Sequence, residues 1–230
     1  MAGKPLGWEV ATVTVTFTEP LLGTVPKDPE IWSTYVRDRA IAAVAKQPGS
    51  ETKIAEIVEE VDTVPEAAPV DEETRGWTSF HSDGDGPFVY NYFIQGHLRD
   101  SAATLAKNLG IQALRSKLEK AVLIRPRRLH LAMAGDLTTV ERPLRAMTPQ
   151  GPRVTLVRSD AAPVGTTLTF RVYLLQLRQA ELTWDVIWTL FAYGANRGMG
   201  QWRNGGWGLY TWTHTEPEPY DLGAASGVLL

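Results

Sequence analysis

Near the C-terminal end, Tyr193 to Trp212 reads YGANRGMGQWRNGGWGLYTW. It sets Gly194, Gly198, Gly200, Gly205, Gly206 and Gly208 among Arg197, Arg203, Trp202, Trp207, Tyr210 and Trp212. Glycine admits positive φ and lets backbone N–H groups approach an anion, arginine presents a permanently charged planar fork, and flat rings offer stacking surfaces. Together these groups suit a phosphodiester chain. A mobile turn ahead of a final strand accounts for the same composition equally well.

Further arginines could contribute to such a surface. Arg125, Arg127 and Arg128 surround Pro126, and Arg142, Arg145, Arg153 and Arg158 follow. From Arg99 to Arg158 there are twelve basic residues against four acids, whereas from Glu51 to Arg75 there are nine acids against Lys53 and Arg75. The formal net charge of −3 averages over this separation. One arginine is usually a solvated surface charge, but a set of them predicts a basic face with salt-dependent affinity for nucleic acid. The acidic stretch reads as a solvated face, as a nucleic-acid mimic, or as the part that docks on a neighbouring copy's basic patch and links subunits head to tail into a homo-oligomer or filament.

Acid–base chemistry has few candidates. None of the four histidines, His81, His97, His130 and His214, pairs at the spacing of a helical zinc site, and no Ser-His-Asp arrangement can be built from sequence order, so neither a metal nor a cofactor is expected. His81 lies beside Ser82, Asp83 and Asp85 in a turn-rich segment. The same Ser-Asp-Gly-Asp-Gly run is ordinary turn sequence. Trp184, Trp188 and Phe191 fit a helix's buried stripe, whereas Trp202 and Trp207, isolated by glycines, are the better stacking candidates.

The elements that must position these groups follow from periodicity. Residues 9–18 alternate, with Ala11, Val13, Val15 and Phe17 on one face and threonines on the other, and residues 166–175 repeat the pattern with Leu168, Phe170, Val172 and Leu174. Helices are expected at 28–46, begun by Asp28-Pro29, and at 51–61, 98–108, 111–120 and 181–193, with strands at 88–94, 121–125, 128–133, 154–158 and 207–213. Residues 62–76 read as a loop, and the chain beyond Glu216 as a flexible tail. Stripped of insertions the order matches a ferredoxin-like βαββαβ plan, an α+β single domain over residues 1–215 with an acidic helical insertion at about 28–75. At 230 residues and 43% hydrophobic content the chain can bury a substantial core; it holds no cysteine and no apolar run of membrane-spanning length, so a cytoplasmic protein without membrane contacts is expected.

Gly198-Met-Gly200, five residues, then Gly206-Trp207-Gly208 resembles the glycine-rich loop of the RAMP superfamily of CRISPR-associated proteins, G-x-G-x5-G-[FW]-G. Thr16 to Gly23, TFTEPLLG, is similar to the first strand and P-L-x-x-G turn of its backbone-type members, and Tyr92 to Arg99, YFIQGHLR, to a shortened form of their Y-I-x-G-S-x-L-K-G-x-L-R segment, with Gly96, Leu98 and Arg99 retained. The chain also looks like phage and prophage proteins of similar length, which places it in a bacterial host. The resemblance implies an RRM-like sheet and binding of single-stranded RNA or DNA, with Gly96 opening a helix whose N–H groups approach phosphate near His97 or Arg99. It also implies catalytic candidates, Asp83 from the backbone-type branch, as a general base or metal-assisting carboxylate for RNA cleavage by the 2′-hydroxyl, and His97 from the RNA-processing branch. Two alternatives to strand binding stand beside it: a metal-independent endoribonuclease using His97 or His81, and a protein-binding decoy of a host defence complex.

Overall fold

In the computed structural model the described residues are 7–28, 76–148, 151–176 and 181–221. The helices expected at 28–46 and 51–61, and nearly all of the acidic insertion, lie outside them.

The central sheet grows from the two alternating segments. Strand β1 (Gly7–Phe17) and strand β11 (Thr167–Gln176) pair antiparallel over ten positions, from Gly7↔Gln176 to Thr16↔Thr167. Strand β7 (Val122–Arg125) flanks β11, and strand β12 (Tyr210–His214) flanks β1, giving the order β12-β1-β11-β7 with every pairing antiparallel. The period-two pattern then sorts the faces. Val13, Val15, Phe17, Leu168, Phe170, Val172 and Leu174 are buried on one side, and Thr12, Thr14, Thr169 and Arg171 stand on the other.

Helix α1 (Asn91–Leu105), helix α2 (Leu114–Ala121) and helix α3 (Trp184–Arg197) complete the fold, and α1 packs on both α2 and α3. Helix α1 buries Ile94, His97, Leu98, Ser101 and Ala102, the i, i+3, i+4, i+7, i+8 stripe of an amphipathic helix. Helix α3 is capped by Thr183, whose hydroxyl accepts from the Val186 N–H, carries Asp185 in its first turn and Arg197 in its last, and stops at Gly198 (φ 79°). It buries Ile187, Leu190, Phe191 and Gly194; Trp184 and Trp188 pack at the margin of the core, with Trp188 and Trp212 stacked about His214. No described helix is long and apolar enough to cross a membrane.

Beside this core lie two further sheets, one of five strands and one of three. Strand β10 (Gly151–Ala162) joins strand β2 (Leu21–Leu22), strand β4 (Trp77–Ser79) and strand β9 (Thr138–Thr148), while strand β3 (Val25–Pro26) pairs β4. Strand β5 (His81–Asp83), strand β6 (Gly86–Tyr90) and strand β8 (Arg128–His130) form the third. The buried Asp160 carboxylate locks the first of these together: it accepts from Trp77 Nε1 at 2.8 Å and Ser79 Oγ at 2.5 Å, and pairs with Lys27 at 2.9 Å.

Three expectations are corrected. Helix α1 begins at Asn91, where a strand was expected to run to Ile94, so Gly96 sits in the second turn and does not open the helix. The turn is forced by tertiary contacts, since the Asn91 N–H donates to Arg127 O and its side-chain amide donates to Ile124 O. The single strand expected at 154–158 is part of a long β9–β10 hairpin. Beyond Glu216 the chain is not all tail: strand β13 (Glu218–Tyr220) pairs with β1 at Trp8–Val10.

Candidate nucleic-acid interface

Four stretches of the chain meet at one cleft. Helix α1 contributes a second stripe, Phe93, Gly96, Asp100 and Ala103; the loop after α3 supplies Met199, Gly200 and Arg203; Arg115 comes from α2; and Thr24 follows the N-terminal turn. With His97 and Arg99 these residues line about 370 Å³. Gly96 keeps the floor open, since a Cβ there would meet nothing within 4 Å.

The glycine loop closes on itself and on the first turn of the chain. Gly198 N–H donates to Gly194 O, Met199 N–H to Gly208 O, Gly208 N–H to Pro20 O, Gly205 N–H to Trp202 O and Gly206 N–H to Arg203 O. A Cβ on Gly208 would fall 2.1 Å from Met199 O, and one on Gly198 2.3 Å from Trp207 O. Both residues hold positive φ, at 67° and 79°. These glycines are therefore needed for backbone packing, and their N–H groups are spent inside the chain, contrary to the expectation that they approach an anion. Gly200 fits against Leu22 O and the Leu21 side chain, so the loop docks on the P-L-x-x-G turn.

Side chains give the cleft its charge. Arg203 donates to Asp100 Oδ2 at 2.7 Å, Arg197 stands 4.0 Å from the same oxygen while also donating to Asn204, and Arg99 pairs with Glu119 at 2.9 Å. Exposed Arg115 has no carboxylate partner among the described residues. The lining thus carries Arg99, Arg115 and Arg203 against Asp100.

His97 forms part of the cleft wall but is buried. The Tyr210 hydroxyl donates to Phe191 O at 3.2 Å, so its oxygen accepts from His97 Nε2–H at 2.9 Å, which fixes the neutral tautomer with Nδ1 bare. Nδ1 is buried and has no partner among the described residues. Burial, with Arg203 and Arg197 adding to it and Asp100 opposing, pushes the His97 pKa down to about 4, and burial also raises that of Tyr210. Gly194 makes the pair possible, for a Cβ there would lie 2.3 Å from His97 Nε2.

The sequence candidates separate into distinct settings. Gly96, Arg99, Gly200 and Arg203 line the cleft, with Arg197 tied to it through Asp100. The Arg142 guanidinium stacks on Trp202, which packs edge-on to Trp207 at 6.3 Å, so these three serve one another; burial lowers the Arg142 pKa. Arg128 pairs with Asp83 at 3.1 Å, while Arg125 and Arg127 line a different concavity. The Arg145 side chain lies outside the described residues. His81 is buried against Phe88 and Tyr90. Asp83 also accepts from His130 at 2.9 Å and from the Asp85 N–H at 3.0 Å, and the His130 bond first of all, with Arg128 adding to it, lowers its pKa. Asp83, Asp85 and His130 offer ligand atoms within 4.8 Å of one another, but the Arg128 guanidinium already supplies the positive charge a cation would bring. Sequence reasoning missed Asp100, Arg115 and Thr24. The i, i+4 relation of Gly96 to Asp100 was the available signal for the first.

No protein-family model and no curated protein matches the sequence. Among solved structures the chain is similar to a protein in the cryo-EM structure of the type III-B Cmr-beta bound to cognate target RNA, with 14% identity and a TM-score of 0.45. The match covers 94% of this chain and 61% of that one.

Proposed function

We propose that this protein binds single-stranded nucleic acid, RNA in preference to DNA, in the cleft between α1 and the glycine loop, on a ferredoxin-like core of RAMP type. The observation that carries the reading is the lining itself: Arg99, Arg115 and Arg203 face Asp100, and Arg115 has no carboxylate partner among the described residues. A phosphate entering between Arg115 and Arg203 competes with Asp100 for a guanidinium that is already oriented. The preference for RNA rests on the resemblance of the loop spacing and of YFIQGHLR.

Binding is favoured over cleavage by the state of the acid–base candidates. A general base must reach the proton it removes, and the bare nitrogen of His97 is buried. His81 is packed between rings, and Asp83 is engaged by Arg128 and His130.

The test is fluorescence polarisation of labelled single-stranded RNA and DNA oligomers across a salt series, with Arg99→Ala/Arg203→Ala beside the unaltered protein. Each phosphate that an arginine no longer neutralises takes about 0.7 from the slope of log K against log salt, so the double variant should show a slope shallower by about 1.4. An unchanged slope refutes the cleft as the site. Absence of binding to either strand at low salt refutes the function and points to a protein partner.

A further inference from the structure

The open face of the central sheet carries a concavity of about 870 Å³, lined also by Asn91 and Gln95 of α1, that shares no lining residue with the cleft. Arg125 on β7 and Arg171 on β11 are direct cross-strand partners in it, both exposed. Antiparallel partners hold their Cβ atoms about 5 Å apart, and like charges so placed destabilise the pair of strands. Neither arginine has a carboxylate partner among the described residues, and no Asp or Glu lines the concavity. Glu218, which shares this face opposite Val10, lies outside the lining. Two adjacent uncompensated guanidinium groups on a sheet that elsewhere satisfies its packing rules mark a place where a ligand supplies the missing charge.

The rest of the surface describes that ligand. Thr12 stands opposite Arg171, and Thr169 follows it two residues back on the same face, so hydroxyls flank the charges. The half-buried Tyr220 stands edge-on to Tyr173 with centroids 4.9 Å apart, which gives it a fixed ring on this face. Arginines tracking a backbone beside an aromatic ring are the elements of a single-strand surface, because a stacked base must be unpaired. The volume lies near the upper end for a pocket that encloses one small ligand.

We infer that the open sheet face is a second binding surface for single-stranded nucleic acid, with Arg125 and Arg171 on phosphate and Tyr220 against a base. The inference extends the reading above to residues that the cleft does not use, and it stands or falls separately.

The experiment uses a fluorescein-labelled oligouridylate of twelve nucleotides and the full chain, comparing Arg125→Ala/Arg171→Ala with the cleft pair Arg99→Ala/Arg203→Ala. Removing two arginine–phosphate pairs lowers the slope of log K against log salt by about 1.4, which is about 25-fold weaker binding at 0.1 M salt. Relieving a like-charge pair leaves the thermal midpoint of the sheet variant unchanged or higher. An unaltered protein photocrosslinked to 5-bromouridine-substituted oligomer should carry the adduct at Tyr220. Full-strength binding by the sheet variant, or crosslinks confined to the cleft, overturns the second surface. A cleft variant that binds normally while the sheet variant fails overturns the proposed cleft and leaves the sheet face standing.

Discussion

His97 couples the stability of the fold to pH in a way that can be worked out in advance. Its pKa is held at about 4, against 6.5 for a free histidine, chiefly by burial and secondarily by Arg203 and Arg197. Between these two values the unfolded chain binds a proton that the folded chain refuses, so stability rises with pH across the window and falls as pH is lowered through it. Below pH 4 both states are protonated and this contribution ends. Each unit of pKa difference corresponds to about 1.4 kcal/mol, so going from pH 7 to pH 4.5 should cost about 2 kcal/mol through His97 alone. Carboxylates add their own pH dependence over the same range, which a variant removes from the comparison. Urea denaturation at half-unit intervals from pH 7 to 4.5 gives the free energies for the natural protein and for His97→Gln. The variant starts less stable, without the bond to Tyr210, but its curve should fall by about 2 kcal/mol less. Parallel curves would refute a buried neutral His97.

Two further substitutions test the packing that shapes the cleft. Gly208→Ala places a methyl 2.1 Å from a backbone oxygen at a φ of 67°, where the neighbour cannot swing aside; a loss of about 3 kcal/mol or more in denaturant titration is expected, whereas Gly96→Ala, facing open space, should be neutral or slightly stabilising. Asp160→Ala strands Trp77 Nε1, Ser79 Oγ and Lys27 together, and should lower stability by about 3 kcal/mol, read as a reduced urea midpoint.

The central sheet was legible because β1 and β11 alternate so regularly, and direct pairing of these two strands explains why both carry the same period. Other elements were hidden for identifiable reasons. Tyr90 to Ile94 is rich in β-forming rings, yet the chain turns into α1 at Asn91 because its amide groups bond to Ile124 O and Arg127 O, contacts that local propensity does not contain. Strand β9 has Pro143 and no alternation, and is held by its partner β10. The glycine loop, the first turn and YFIQGHLR were picked out by spacing as separate motifs, and their meeting around one cleft comes from the fold. Spacing did not reveal which way the loop's N–H groups point. Arg171 was passed over because its strand reads as core from its apolar half, although the exposed half is where a charge can act.

The position of β1 sets the order of events when the chain first folds. Its neighbours are β11 on one side, with Thr14 meeting Thr169, and β12 and β13 on the other, with Thr14 meeting Thr213. This inner strand of the sheet is thus made well before its neighbours, since its partners β11 and β12 are synthesised more than 150 residues later. Contacts of such long sequence separation close slowly and only after their loop entropy has been overcome. Until then β1 is an exposed strand with two unpaired edges and an apolar face of Val13, Val15 and Phe17. The species most prone to aggregate is therefore the nascent chain, and folding yield should respond more to synthesis rate and chaperone supply than to the stability of the finished molecule.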